Sequence, residues 1–227
     1  MPRIIAQNRL SRVTIGNRPI TFNPAVQAGP PPLITGTSFD PATANGLIVL
    51  SNNNLTVTLS AAGAGTWRAV RSQAGKTSGK YHWEMRFNSI TAGGGSWNCG
   101  IVRTAAFNNA LFCGQDANGI GANWGGGIVV NGAGIAPCDQ LSVGDTLELE
   151  IDLNAKLMWG RRVGRTEWNQ NPLANPVTGV GGASFAAMVG PFAPVGSHLE
   201  QSVTTFNFGA QPMIGNVSPG YMRGWPL

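Results

Sequence analysis

Residues 146–153 read Thr-Leu-Glu-Leu-Glu-Ile-Asp-Leu, and the alternation has no break. Leu147, Leu149, Ile151 and Leu153 occupy one set of alternate positions, and Glu148, Glu150 and Asp152 the other. No helix face collects every second residue, whereas a strand sends successive side chains to opposite sides of its sheet. Residues 81–87 repeat the pattern with bulkier groups: Tyr81, Trp83, Met85 and Phe87 against His82, Glu84 and Arg86. Four such apolar side chains contribute roughly 1.5–3 kcal/mol each when fully buried. The alternation therefore puts them in a core. It puts His82, Glu84 and Arg86 on a wetter face, where pairing with neighbouring strands accounts for them without chemistry. The acidic row 148–152 then lies beside the basic groups of 81–87, as partners in charge pairs and not as a catalytic carboxylate pair.

The same period recurs along the chain. "GLIVLS" and "NLTVTLS" flank Asn52-Asn53, "WRAVRSQ" leads into the turn before residue 80, and "SWNCGIV", "KLMWG", "SFAAMVG" and "SVTTFNFG" read as further strands. No stretch has a helical period. Gly is 32 of 227 residues, about twice its ordinary share. Short strands joined by many turns suit that composition, so the expected class is an all-β sandwich. Charged residues are 11% of the chain, against an ordinary ~25%, as suits a surface partly covered by partners.

The charge is unevenly placed. Residues 1–36 hold Arg3, Arg9, Arg12 and Arg18 and no acid, while the rest holds 11 basic and 10 acidic residues, so the formal +5 resides mainly in the arm. Within it, "RVTIGNRPITF" at 12–22 reads as two extended pieces around Gly16-Asn17, with Pro19 confining its piece to an edge. The prolines of 25–33 favour a stiff linker. Three parts follow: a basic arm at 1–36, a sandwich at 37–210 and an apolar tail at 211–227. The tail carries Met213, Ile214, Tyr221, Met222 and Trp225, too apolar a set to hang free. A basic arm suits nucleic acid, anionic lipid or an acidic protein surface, and four arginines without interleaved aromatics are a weak nucleic-acid signal.

Several chemistries lose their footing here. Gly75-Lys76-Thr77 ends like a phosphate-binding loop, but Val70 stands where that motif needs glycine, and a strand follows instead of a helix. The histidines are His82, on a strand, and His198, in loop-like "PVGSHLEQ", and no Gly-x-Ser-x-Gly elbow accompanies them. Cys99, Cys113 and Cys138 fit no metal or redox spacing. Buried thiols are the plain expectation, a Cys113–Cys138 bridge or an intermolecular bond the alternative. No metal, cofactor or catalytic residue is expected, nor a membrane span or secretory leader.

Taken in order, "SGKYHWEMRF", "CGIV", "GIGANWGGG" with "VNG", "GDTLELEIDLNAKLMWG", "FAAMVG" and "TTFNFG" resemble the SPRY (B30.2-like) family over roughly residues 38–210. Gly79–Met85 is similar to that family's Gly-Lys-x-Tyr-Trp-Glu-Val strand. The Gly144-Asp145 start and Asn207-Phe208-Gly209 are similar to its later elements. One departure is that Arg161, Arg162 and Val163 follow Gly160 where the family has Asn-Gly. The resemblance implies a bent antiparallel β-sandwich that binds without catalysis, through loops at one end. "FDPATANGLIVLSNNNLTVT" further resembles the SPRY modules of bacteriophage structural and tail-fibre proteins. The expectation is a virion protein of fibre, collar or capsid surface, made in the host cytoplasm and part of a homo-oligomer or larger assembly. Its arm would meet other virion proteins, and its loops a host surface protein or glycan. A cellular SPRY adaptor and a glycan-binding module are the alternatives. Candidate contact residues are Trp97, Trp124 and Trp168, with Arg161, Arg162 and Arg165 as a patch for an acidic partner.

Overall fold

The computed structural model describes residues 13–15, 18–20, 35–60, 65–90 and 97–227. The chain divides into two units, Met1–Pro32 and Leu33–Leu227. In the first, β1 (Val13–Ile15) and β2 (Arg18–Ile20) pair antiparallel, with Val13 opposite Ile20 and Thr14 opposite Pro19. This is the pair of extended pieces expected around Gly16-Asn17. Arg3, Arg9, Arg12 and the proline-bearing linker lie outside the described residues.

The second unit is built from two antiparallel sheets. One runs β13 (Ala183–Ser184), β12 (Leu157–Arg162), β11 (Thr146–Asp152), β6 (Lys80–Ile90), β15 (Ser202–Asn207), β4 (Thr56–Leu59) and β3 (Ile48–Ser51). The other runs β10 (Ala133–Pro137), β9 (Gly127–Val130), β8 (Gly119–Asn123), β7 (Trp97–Arg103), β14 (Phe192–His198) and β5 (Arg68–Arg71). The turn between β3 and β4 holds Asn52, Asn53 and Asn54 at φ 52, 54 and 61°, a left-handed run that asparagine tolerates better than most side chains.

The alternation did its expected work on the inner face. Trp83, Met85, Leu147, Leu149 and Ile151 are all fully buried and share one core with Trp97, Ile101, Ile120 and Ile128 of the other sheet. Phe39 stands edge-on to Phe206 and Phe208, with ring centroids at 4.8 and 5.4 Å. Glycine is required where layers meet closely. A Cβ at Gly121 would stand 2.4 Å from Asn98 Oδ1 and 2.8 Å from the Cys113 carbonyl. The three cysteines are free and buried, and no Cys113–Cys138 bridge forms. Burial raises all three thiols, Cys138 to about 12.

Two expectations need correction. Of the "SFAAMVG" stretch only Ser184 is in a strand, the two-residue β13, and the strand of that region is instead β14, whose Pro194–His198 belong to the "PVGSHLEQ" read as loop-like. Pro194 hid it. Its carbonyl accepts from Ser72, beyond the end of β5, so its missing N–H faces that side and leaves the ladder to β7 intact. Second, the outer face of β6 and β11 is not wet. Arg86 is exposed, but His82, Glu84, Glu148 and Glu150 are buried. The apolar tail 211–227, expected to pack, lies in the same unit as the sandwich and covers that face. It crosses the outer face, adds β16 (Met222–Arg223) parallel to the start of β6, and ends with Trp225 fully buried against Tyr81.

Candidate partner-binding site

The sequence candidates gather near one end of the sandwich, but most are occupied there. Trp124 lies in the turn between β8 and β9, where Gly126 N–H donates to Asn123 O (3.0 Å) and Gly127 N–H to Asn123 Oδ1 (3.0 Å). Its own N–H donates to Trp97 O (3.1 Å). The two indoles have opposite fates, since Trp97 is 1% exposed and Trp124 is 39% exposed. Trp168 is also buried. The Arg161 guanidinium lies over its ring, 3.9 Å from the centroid. Trp97 and Trp168 are therefore fold residues, and Trp124 is the candidate tryptophan that faces solvent.

The arginines do not form a free basic patch. Arg161 Nε donates to Glu148 Oε1 at 2.7 Å. Arg162 Nη1 lies 3.2 Å from Asp145 Oδ2, and its N–H donates to Asp139 Oδ2 at 2.9 Å. Arg165 Nε lies 3.5 Å from Asp139 Oδ1. Each cation already faces a carboxylate, so the patch offers little net charge to an acidic partner. The sequence separations of 13, 17 and 26 residues hid these pairings.

Beside this end lies a cleft of about 560 Å³ between β10 and the segments 169–171 and 181–184. Its walls are held firmly. Asn169 accepts from Gly160 N–H (2.8 Å) and donates to Gly181 O (2.9 Å) and Met158 O (3.3 Å). Gln170 donates to Cys138 O. Asn169 and Gln170 hold φ of 50 and 49°, closing the turn that pairs Trp168 with Asn171. At Gly182 any side chain would strike Trp159, with Cζ2 2.5 Å from a Cβ. None of the residues lining the cleft is charged; they include Ile135, Pro137, Asn171 and Ser184. Ile135, Leu173, Val177 and Val180 are exposed on its wall segments and the loop between them. The lining edge of β10 is blunted by a register shift between Gly134 and Ala136 and by Pro137. The missed signal is the run "NQNPLANPVTGVGG", where aliphatic residues stand among turn formers.

Both histidines are enclosed. His198 sits between Ser202 Oγ (2.5 Å) and Thr204 Oγ1 (3.0 Å), and burial lowers it to about 3. His82 lies under the tail. Among the described residues no group of three or more His, Cys, Asp and Glu is arranged to hold a metal, and no helix is long and apolar enough to cross a membrane.

No family model matches this chain, and neither does any curated protein. Solved structures do. The SPRY domain of human HERC1 aligns at TM-score 0.56 and 14% identity, over 74% of this chain and 96% of that one. The TRIM65 PSpry domain aligns at 0.52 and 17%, over 76% and 92%. Stonustoxin aligns at 0.51 and 14%, over 76% of this chain and 27% of its own. At such identities the likeness is one of fold: the second unit contains a SPRY-like sandwich, with the two antiparallel sheets expected from the strand pattern.

Proposed function

We propose that this SPRY-like sandwich is a non-enzymatic binding module that seats an extended, uncharged segment of another protein in the cleft beside β10. The observation that carries this is the lining itself. A firmly held cleft of about 560 Å³ falls within the range of ligand sites, roughly 300–1,000 Å³. It presents amide, hydroxyl and aliphatic groups without a charge. A charged segment would lose hydration there without gaining a partner. A glycan would lack an aromatic platform, because no aromatic ring lines the cleft and Trp124 stands apart in its own turn. A hydrolase reading has no support from His82 or His198, since both are enclosed.

We read the module further as a component of a bacteriophage particle, attached through residues 1–36. The acid-free arm, the low charge of the sandwich and the resemblance of 39–58 to phage structural modules favour this over a cellular adaptor.

A library of random twelve-residue peptides selected on the full chain tests the cleft. Enriched peptides should be uncharged, and Ile135→Glu should weaken them at least about tenfold, near 1.4 kcal/mol, without changing the melting temperature. Binding that survives Ile135→Glu and disappears in Trp124→Ala would move the site to the β8–β9 turn.

A further inference from the structure

The tail closes over a compact group of ionisable side chains that no binding or catalytic role accounts for. Strand β6 supplies His82 and Glu84, β11 supplies Glu148 and Glu150, and β12 supplies Arg161. The register sets His82 opposite Glu150 and sets Glu84 opposite Glu148, two like charges face to face. His82 Nδ1 is 3.3 Å from Glu150 Oε1, and its Nε2 is 3.8 Å from Glu84 Oε1 and 3.9 Å from Glu148 Oε2. The tail adds two amides: Gly215 N–H donates to Glu84 Oε1 and Ser218 N–H to Glu150 Oε1, each at 2.7 Å. Gly215 lies so close that a Cβ there would stand 2.2 Å from Glu148 Oε2. His82 Nε2, Glu148 Oε2 and Glu150 Oε2 are buried without a hydrogen-bond partner.

Three carboxylates face His82 and Arg161. The group is one charge negative with His82 protonated and two with it neutral. Residues 213–222 bring no cationic side chain, and Arg223, the next residue, is exposed. Lys80 is held 3.0 Å from Asp152 at the cluster's border and lies 5.4 Å from the Tyr221 ring.

We propose that residues 213–222 form a proton-operated strap, which closes over this cluster with uptake of a proton and loosens as the pH rises. Covering an anionic group removes its water, and the cost falls with each charge neutralised. A proton is the counter-charge the strap does not carry. The individual groups agree. Burial pulls His82 down, but hydrogen bonds and charge from Glu150, Glu84 and Glu148 outweigh it, and the imidazole ends raised above 6.5. Burial raises Glu148 above 4.5 against the pull of Arg161 and His82. Burial, with Glu150 and Asp152 beside it, raises Tyr221. A group held protonated longer in the closed form favours closure below its free value, and that gain is lost as pH climbs through the raised value. The loss begins above 4.5 for Glu148, which the strap's own burial raises. Glu84, Glu148 and Glu150 lie on β6 and β11 and raise His82 in both forms, so His82 adds to the switch as far as closure strengthens their pull by excluding water. Each unit of elevation weights closure about tenfold.

Amide hydrogen exchange on the full chain between about pH 5.5 and 9 tests this, with rates corrected for intrinsic pH dependence. Protection at Gly215, Ser218 and Tyr221 should fall at least about tenfold across the range, while β11 stays protected. An NMR titration should place His82 above 6.5, and His82→Gln should flatten the upper part of the profile. Strap protection that is constant with pH, or that falls only together with β11, overturns the proposal. So does His82 titrating at or below 6.5, a reading on the unaltered chain that stands even if His82→Gln does not fold.

Discussion

Replacing Trp225 by alanine should cost about as much as breaking the centre of the core, although only Pro226 and Leu227 follow it. Its side chain is fully buried, with its ring 4.5 Å from that of Tyr81. Its Nε1–H donates to Ala74 O at 2.9 Å. Truncating a buried tryptophan costs about 3–5 kcal/mol in lost transfer energy and cavity. The Ala74 carbonyl then lacks its partner, and a half-buried acceptor adds about 1 kcal/mol. The expected loss is about 4–6 kcal/mol. At roughly 2–4 °C per kcal/mol for a unit of this size, Tm should fall by roughly 10–20 °C. Urea denaturation followed by tryptophan fluorescence and circular dichroism measures it. Ile214→Ala is the internal control: it is 65% exposed on the same segment, so its effect should stay within about 0.5 kcal/mol. A Trp225→Ala loss below about 1 kcal/mol, or equal losses for the two variants, would refute the idea that the closing segment completes the sandwich.

Trp83→Ala should cost about 3–5 kcal/mol by the same denaturation, since Trp83 packs between Phe206 and Phe208 and is fully buried. Gly121→Ala should cost about 1–3 kcal/mol from overpacking against Asn98 and Cys113, and unchanged stability would show that the 104–118 segment yields easily. His198, lowered to about 3 by burial, contributes stability present above pH 6.5 and lost as the pH falls toward its folded value. Between pH 6.5 and 5 the urea midpoint should drop, and His198→Asn should remove most of that slope. Deleting residues 1–36 should leave a cooperatively melting sandwich and, if the proposed particle role holds, one that no longer joins the particle. Normal incorporation of the truncation would show that the arm is not the anchor.

The parts of the fold legible in the sequence were those where one face is apolar and the other polar. Strands β6 and β11 announced themselves because residues two apart share a chemistry. Strand β14 did not, since a proline stood inside it and both of its faces are buried. The outer face of β6 and β11 was misjudged for a related reason. Periodicity says which residues share a face, but what covers that face comes from 131 residues further along the chain, where Gly215 meets Glu84. The site shows the same division. Trp124 and the arginines were visible as residue types, yet whether an arginine is free depends on carboxylates such as Asp139 and Glu148 that only folding brings near. The cleft was visible as neither a motif nor a charge, because its two walls come from β10 and from 169–184.

The three buried thiols give this protein a built-in clock for its own opening. In the closed sandwich a labelling reagent meets no thiolate, since Cys99, Cys113 and Cys138 are all enclosed and held protonated. Their modification rates therefore count excursions from the native state. The three sit in different places. Cys99 is on β7 in the main core, Cys113 anchors the 104–118 segment on the carbonyls of Ile101 and Ile120, and Cys138 follows β10 with its carbonyl held by Gln170. Variants that retain one cysteine each would time separately the unfolding of the centre, the lifting of that segment and the breathing of the cleft wall.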